Sequence, residues 1–94
     1  SSSMYDITIK GEIAAAVARA RDRVEGQLWV QRLSTTADDG LIHWQVSVTD
    51  DAAAEDLLLR LILEDRSLKV RHFGRKTYNL EEVFLDMVGK ENSK

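Results

Sequence analysis

Asp38-Asp39-Gly40-Leu41-Ile42-His43-Trp44-Gln45-Val46-Ser47-Val48-Thr49-Asp50-Asp51 is the stretch on which the fold turns. Ile42, Trp44, Val46 and Val48 alternate with His43, Gln45, Ser47 and Thr49, the period of two of a strand with one core face and one polar face. Asp38-Asp39-Gly40 at its start is a strong turn signal between two strands. Asp50 or Asp51 after it can cap a helix, and Glu55 then falls where the helix dipole favours an acid.

Upstream, Tyr5, Ile7 and Ile9 alternate with Asp6, Thr8 and Lys10, which predicts a first strand. Gly11 is placed to cap a helix from Glu12 to Glu25, with Ile13, Val17, Ala20 and Val24 at helical spacing and Gly26 ending it in the left-handed conformation. Leu28 to Leu33 reads as a second strand with apolar residues on both faces: Leu28 and Val30 on one, Trp29 and Leu33 on the other. Ser34 to Gly40 reads as polar loop and turn. Downstream, Leu57, Leu58, Leu61 and Ile62 form the stripe of a second helix, widened by Leu59 and Leu63. A fourth strand carries Leu68 and Val70 on one face and Lys69, Arg71 and Phe73 on the other.

The order strand, helix, strand, strand, helix, strand is the split βαβ pattern. The expected fold is therefore α+β and ferredoxin-like, βαββαβ, an antiparallel sheet with two helices on one face. A third helix is expected after it, capped by Asn79 with Glu82 three residues on, carrying Leu80, Val83, Phe84 and Met87 in one stripe and closed by Gly89. One domain over residues 5–89 results, with residues 1–4 as an appended or frayed end and 90–94 as a frayed tail.

Composition narrows the chemistry. The chain has 94 residues, 44% hydrophobic and 31% charged, which suits one folded domain rather than a disordered segment. Without cysteine there is no disulfide, thiolate zinc site or cysteine nucleophile. The formal charge of −3 disfavours non-specific binding to nucleic acid. Glycines at 11, 26, 40, 74 and 89 stand alone, so no glycine-rich phosphate loop is written here. His43 and His72 lie on different strands without a ligand at metal-binding spacing. The doublets Asp38-Asp39 and Asp50-Asp51 have sufficient reason as turn former and helix cap. Ser34, Thr35 and Thr36 have no histidine near them in sequence to act as a base. No catalytic residue, cofactor site or metal site is expected.

Two surface features remain. Arg66, Lys69, Arg71, Arg75 and Lys76, with His72 among them, make a basic concentration that reads as a guarded sheet edge. An RNA-binding sheet would stack bases on aromatics of its central strands. Their outward positions here are Asp6, Thr8, His43, Gln45 and Ser47, none aromatic. Trp29, Leu33 and Phe73 are expected at the sides of the open sheet face, where such a patch marks a contact. It would be covered by Leu80, Val83, Phe84 and Met87 of the C-terminal helix or by a second subunit.

Val70-Arg71-His72-Phe73, then Tyr78-Asn79-Leu80-Glu81-Glu82-Val83-Phe84-Leu85, then Val88-Gly89, resembles the end of ABC-transporter ATP-binding subunits of the exporter class. In that family a Leu-Glu-(Glu/Asp)-Val-Phe-Leu segment followed by glycine closes an accessory domain after the nucleotide-binding domain. The resemblance covers about a fifth of the chain and implies a non-catalytic regulatory or dimer-supporting role. It implies that the parent protein couples ATP hydrolysis to substrate export, with ATP and magnesium held only in an ATPase domain outside this sequence. Implied partners are that ATPase domain, a membrane permease subunit and a second copy, at the cytoplasmic face of the membrane, with neither nucleic-acid binding nor membrane insertion. The reading set against it is a stand-alone ferredoxin-like domain that senses a small molecule.

Overall fold

The computed structural model describes residues 3–76. β1 (Ser3–Lys10), α1 (Ala14–Glu25), β2 (Val30–Asp38), β3 (Leu41–Val48), α2 (Asp51–Ile62) and β4 (Val70–Lys76) follow one another. The four strands form one antiparallel sheet in the order β2-β3-β1-β4. This is the expected ferredoxin-like α+β arrangement, with the cleanest alternating strands, β1 and β3, at its centre.

Those two strands supply most of the sheet's side of the core. Tyr5, Ile7 and Ile9 of β1 and Trp44, Val46 and Val48 of β3 are each no more than 1% exposed. Ala16, Ala20 and Val24 of α1 and Ala54, Leu58 and Ile62 of α2 close over them, all fully buried. Small alanines on the buried stripe let both helices lie close to the sheet and leave room for the indole of Trp44. Leu57 and Leu63, expected in the α2 stripe, are 38% and 47% exposed, because leucines there extend past the width that the sheet can cover.

The edge strands show why their apolar residues fall on both sides of a regular alternation. On β2, Val30 opposes Val48 and Arg32 opposes Ser47, so Gln31 is an extra residue. On β4, Val70 opposes Ile9 and His72 opposes Thr8, so Arg71 is extra. Each bulge shifts the alternation by one. Val30 and Leu33 thus share the core face, and so do Val70 and Phe73, whose partner is Ile7. Trp29 and Phe73 pack half-buried against the core, and Leu33 is 8% exposed within it. The expected patch of Trp29, Leu33 and Phe73 on the open face is therefore corrected: these residues belong to the helix side. The expected C-terminal helix, with Leu80, Val83, Phe84 and Met87, lies outside the described residues.

Boundaries differ from expectation for local reasons. Ser3 and Met4, expected in a frayed end, pair with Val48 and Ser47. Gly11 does not cap α1, because its N–H donates to the Gly40 carbonyl at 2.9 Å and prolongs the sheet; Ile13 takes the cap position. Gly26 ends α1 at φ −74°, right-handed, donating to the Asp22 carbonyl. β2 begins at Val30 with Leu28 fully exposed, and it runs on through Ser34, Thr35 and Thr36 to Asp38. Asp39 (φ 53°) and Gly40 (φ 78°) then form the two-residue turn, both in the left-handed region that the right-handed twist of a hairpin requires.

Side chains lock the layers. The Asp50 carboxylate accepts from the Ala53 N–H at 3.1 Å and caps α2. Asp51 accepts from the Tyr5 hydroxyl at 2.7 Å and from Nε and Nη2 along one edge of the Arg75 guanidinium, at 3.0 and 2.9 Å, joining α2 to β1 and β4. The Tyr5 and Phe73 rings lie 5.6 Å apart beside it. Arg19 reaches Asp65 at 2.8 Å, and Arg23 bridges α1 to the Leu61 carbonyl and to Glu64, each at 3.0 Å.

These bonds set the response to pH. Burial, then the Asp51 bond, pushes the Tyr5 hydroxyl from 10.0 to about 12. Its stabilising contribution is complete below pH 10.0 and is lost as pH rises toward about 12. The Ser67 hydroxyl, then Arg19, lowers the Asp65 carboxyl from 3.8 to about 2, so its contribution is present above pH 3.8 and fades on acidification toward about 2. The Tyr5 hydroxyl bond holds Asp51 low in the same way. Denaturant melts across pH are expected to show a shallower alkaline loss in Tyr5→Phe and a shallower acid loss in Asp65→Asn. Nothing stands within 4 Å of a Cβ built on Gly40, so Gly40→Ala tests the backbone term alone. It is expected to cost about 1–2 kcal/mol in the same melts.

Candidate functional site

With both helices on one face, no element among the described residues covers the other face of the sheet, and the strand registers fix which side chains share it. Arg32, Ser47, Met4 and Lys76 form one row across β2, β3, β1 and β4. Ser34, Gln45, Asp6 and Gly74 form the next, and Thr36, His43, Thr8 and His72 the third. All of Asp6, Thr8, His43, Gln45 and Ser47, read from sequence as outward positions, are on this face.

The twist of the sheet makes its middle concave. A depression of about 300 Å³ is lined by Asp6, Thr8, Ser34, Thr36, His43 and Gln45, with Ile7 and Trp44 at its base. Thr8 Oγ1 and His43 Nδ1 share a hydrogen bond of 3.1 Å. His72 lies along β4 with its ring over Gly74: a Cβ there would stand 2.9 Å from His72 Nε2. The absence of a side chain at Gly74, the cross-strand partner of Asp6, is thus what leaves room for the imidazole.

These groups can hold a polar ligand. Strand backbones fix them, they include one carboxylate, and they mix donors with acceptors: three hydroxyls, an amide and an imidazole. Ser34 and Thr36 were missed in sequence because Ser34–Gly40 reads as a loop. The Asp39-Gly40 turn carried the missing information: a two-residue turn sets Asp38 opposite Leu41, hence Thr36 opposite His43 and Ser34 opposite Gln45. His43 accordingly has threonines on both neighbouring strands that linear distance hides.

The basic residues of β4 are at a true sheet edge, as expected from its Lys and Arg. They do not act together, since Arg75 turns to the helix side and is committed to Asp51 while His72 turns to the open face. Among the described residues no group of three or more histidine, cysteine or acidic side chains could hold a metal ion. No helix among them is long and apolar enough to cross a membrane.

No family model matches the chain, and no curated protein matches it. Solved structures do. A de novo designed protein, Foldit4, aligns with a TM-score of 0.60 at 19% identity, covering 84% of this chain and 100% of that chain. The ACT domain from GTP pyrophosphokinase of Chlorobium tepidum aligns with a TM-score of 0.57 at 13% identity, covering 80% of this chain and 96% of that chain. At such identities the likeness bears on the fold alone, and the fold it bears on is the ferredoxin-like one described above.

Proposed function

We propose that this chain is a non-catalytic regulatory or dimer-supporting domain of an ABC-exporter ATP-binding subunit. The observation that carries the reading is a conjunction within one chain. The elements of a βαββαβ domain, Ser3–Lys10 through Val70–Lys76, are joined in sequence to the family-like segment Tyr78-Asn79-Leu80-Glu81-Glu82-Val83-Phe84-Leu85. Two ATPase domains must approach and separate in each cycle, and a rigid module attached to each biases that equilibrium by the contacts it makes in one state and not the other. The core formed by the described residues supports such a module, because its strands and helices bury apolar side chains against one another. On this reading the parent hydrolyses ATP to drive export through a membrane permease subunit, and the domain works at the cytoplasmic face of the membrane. Deleting residues 5–89 from the parent is expected to change its ATPase rate and the association of its subunits. An unchanged rate together with unchanged association overturns the reading.

A second reading, small-molecule sensing, is favoured by the polar depression around Asp6, Thr8, His43 and Gln45. A ligand that binds only the folded chain stabilises it by about 2.7 kcal/mol at a hundred-fold excess over Kd. In a chain this small that raises Tm by roughly 10 °C or more. A thermal-shift screen of amino acids and other polar metabolites is expected to find such a ligand, and Gln45→Leu, at an exposed position, to remove its effect. A screen in which no compound moves Tm overturns this second reading.

A further inference from the structure

The two edges of the sheet are built differently. β4 carries Arg71, Arg75 and Lys76, charges of the kind that stop a sheet from adding another strand. β2 reads Leu33-Ser34-Thr35-Thr36-Ala37 past its bulge, five uncharged residues in regular extended pairing with β3. Among the described residues no strand pairs with the outer side of β2.

The hydrogen-bond phase of that outer side is determined. A two-residue turn makes Asp38 and Leu41 a hydrogen-bonded pair, so Thr36–His43 and Ser34–Gln45 are hydrogen-bonded too. Leu33, Thr35 and Ala37 then direct their N–H and C=O groups away from β3, to the open edge. The bond at the far side of β3 agrees: the Gly11 N–H meets the Gly40 carbonyl, as the same alternation demands.

The geometry points to a second copy of this chain as the occupant of that edge, with β2 pairing antiparallel to β2 about a two-fold axis through Thr35. Thr35 then faces Thr35 of the other copy, and Leu33 faces Ala37. Both are pairs of residues with outward backbone groups, so each pair exchanges both of its hydrogen bonds. On the open face Ser34 meets Thr36, and Arg32 meets Asp38, twice by symmetry. Arg32 and Asp38 are exposed, and among the described residues neither forms an ion pair within its own chain. Moving the axis to Ser34 or Thr36 still allows backbone bonding, but sets Arg32 opposite Thr36 or Asp38 opposite Ser34. Only the Thr35 register pairs the charges, and opposite charges directly across strands are the favourable arrangement. On the helix side the same axis sets the groove of about 260 Å³ between α1 and β2, lined by Ala14, Val17, Ala18 and Thr35, beside its own copy.

The inference rests on the β2 edge and not on the exporter reading, to which it would add a surface. Sedimentation velocity on the 94-residue chain is expected to show a monomer–dimer equilibrium with a Kd on the order of 10 μM. Arg32→Asp and Asp38→Arg should each weaken association about ten-fold, since like charges then oppose each other. The double variant should return to within about three-fold of the original. Thr35→Pro removes an N–H that makes no bond within the chain, at an edge where proline is tolerated, and should leave a folded monomer. Circular-dichroism melts establish that each variant is folded. A chain monomeric at all concentrations, a dimer indifferent to Thr35→Pro, or a double variant as weak as the single ones each overturns the proposal. None of these outcomes bears on the deletion experiment in the parent, so the two readings fail separately.

Discussion

Two helices can cover one face of a four-stranded sheet, and in this chain every strand has to bring its apolar side chains to that face. The central strands do so by plain alternation. The edge strands cannot, because Val30 and Leu33 on β2, and Val70 and Phe73 on β4, are separated by odd intervals. One extra residue in each strand, Gln31 and Arg71, resolves the conflict. Without the bulges, Leu33 or Phe73 would face water, and each such side chain is worth about 1.5–3 kcal/mol on burial. That is a large part of the stability available to a domain of this size. The bulges also end regular pairing at one end of each edge, which leaves the Leu33–Ala37 half of β2 as the regular open stretch.

The sequence was most legible where one physical signal acted alone. Alternation at Tyr5–Ile9 and Ile42–Val48 and the stripe around Leu58 and Ile62 were enough for topology, and the α+β fold followed. Asp39-Gly40 located the hairpin turn because its left-handed backbone restricts which residues can sit there. Legibility failed where two signals competed. An apolar residue on each face of a short segment looks like a strand exposed on both sides, and a bulge cannot be told from it without the partner strand. The Trp29, Leu33 and Phe73 patch was a consequence of that ambiguity. Ser34–Asp38 reads as loop in sequence because four of its five residues, Ser34, Thr35, Thr36 and Asp38, are polar, so no apolar period marks it.

The candidate site inherits the same division. Asp6, Thr8, His43 and Gln45 were legible as the polar phase of strands whose apolar phase was evident. Ser34 and Thr36 needed the register of β2. His72 over Gly74 needed three dimensions, since nothing in a histidine two residues before a glycine announces that the ring will use the space. The Tyr5, Asp51 and Arg75 cluster is a further case: Asp50-Asp51 looked like one cap with a spare carboxylate. The structure gives the first to the helix terminus and the second to a tie across three elements.

Edge and depression are connected through β2. Ser34 and Thr36 line the depression and are also the residues that would meet across a two-fold axis at Thr35. Pairing about that axis makes the two sheets continuous and sets the two depressions side by side, divided only by a seam of hydroxyl groups. A ligand reaching across the seam would then contact both copies and favour the paired state by its differential affinity alone. By reciprocity, pairing would tighten that ligand by the same factor. The two functional readings are thereby not alternatives in physical terms. A domain that paired through β2 and offered hydroxyls, an amide and a carboxylate along the same strands would have the parts to make association respond to a small polar molecule.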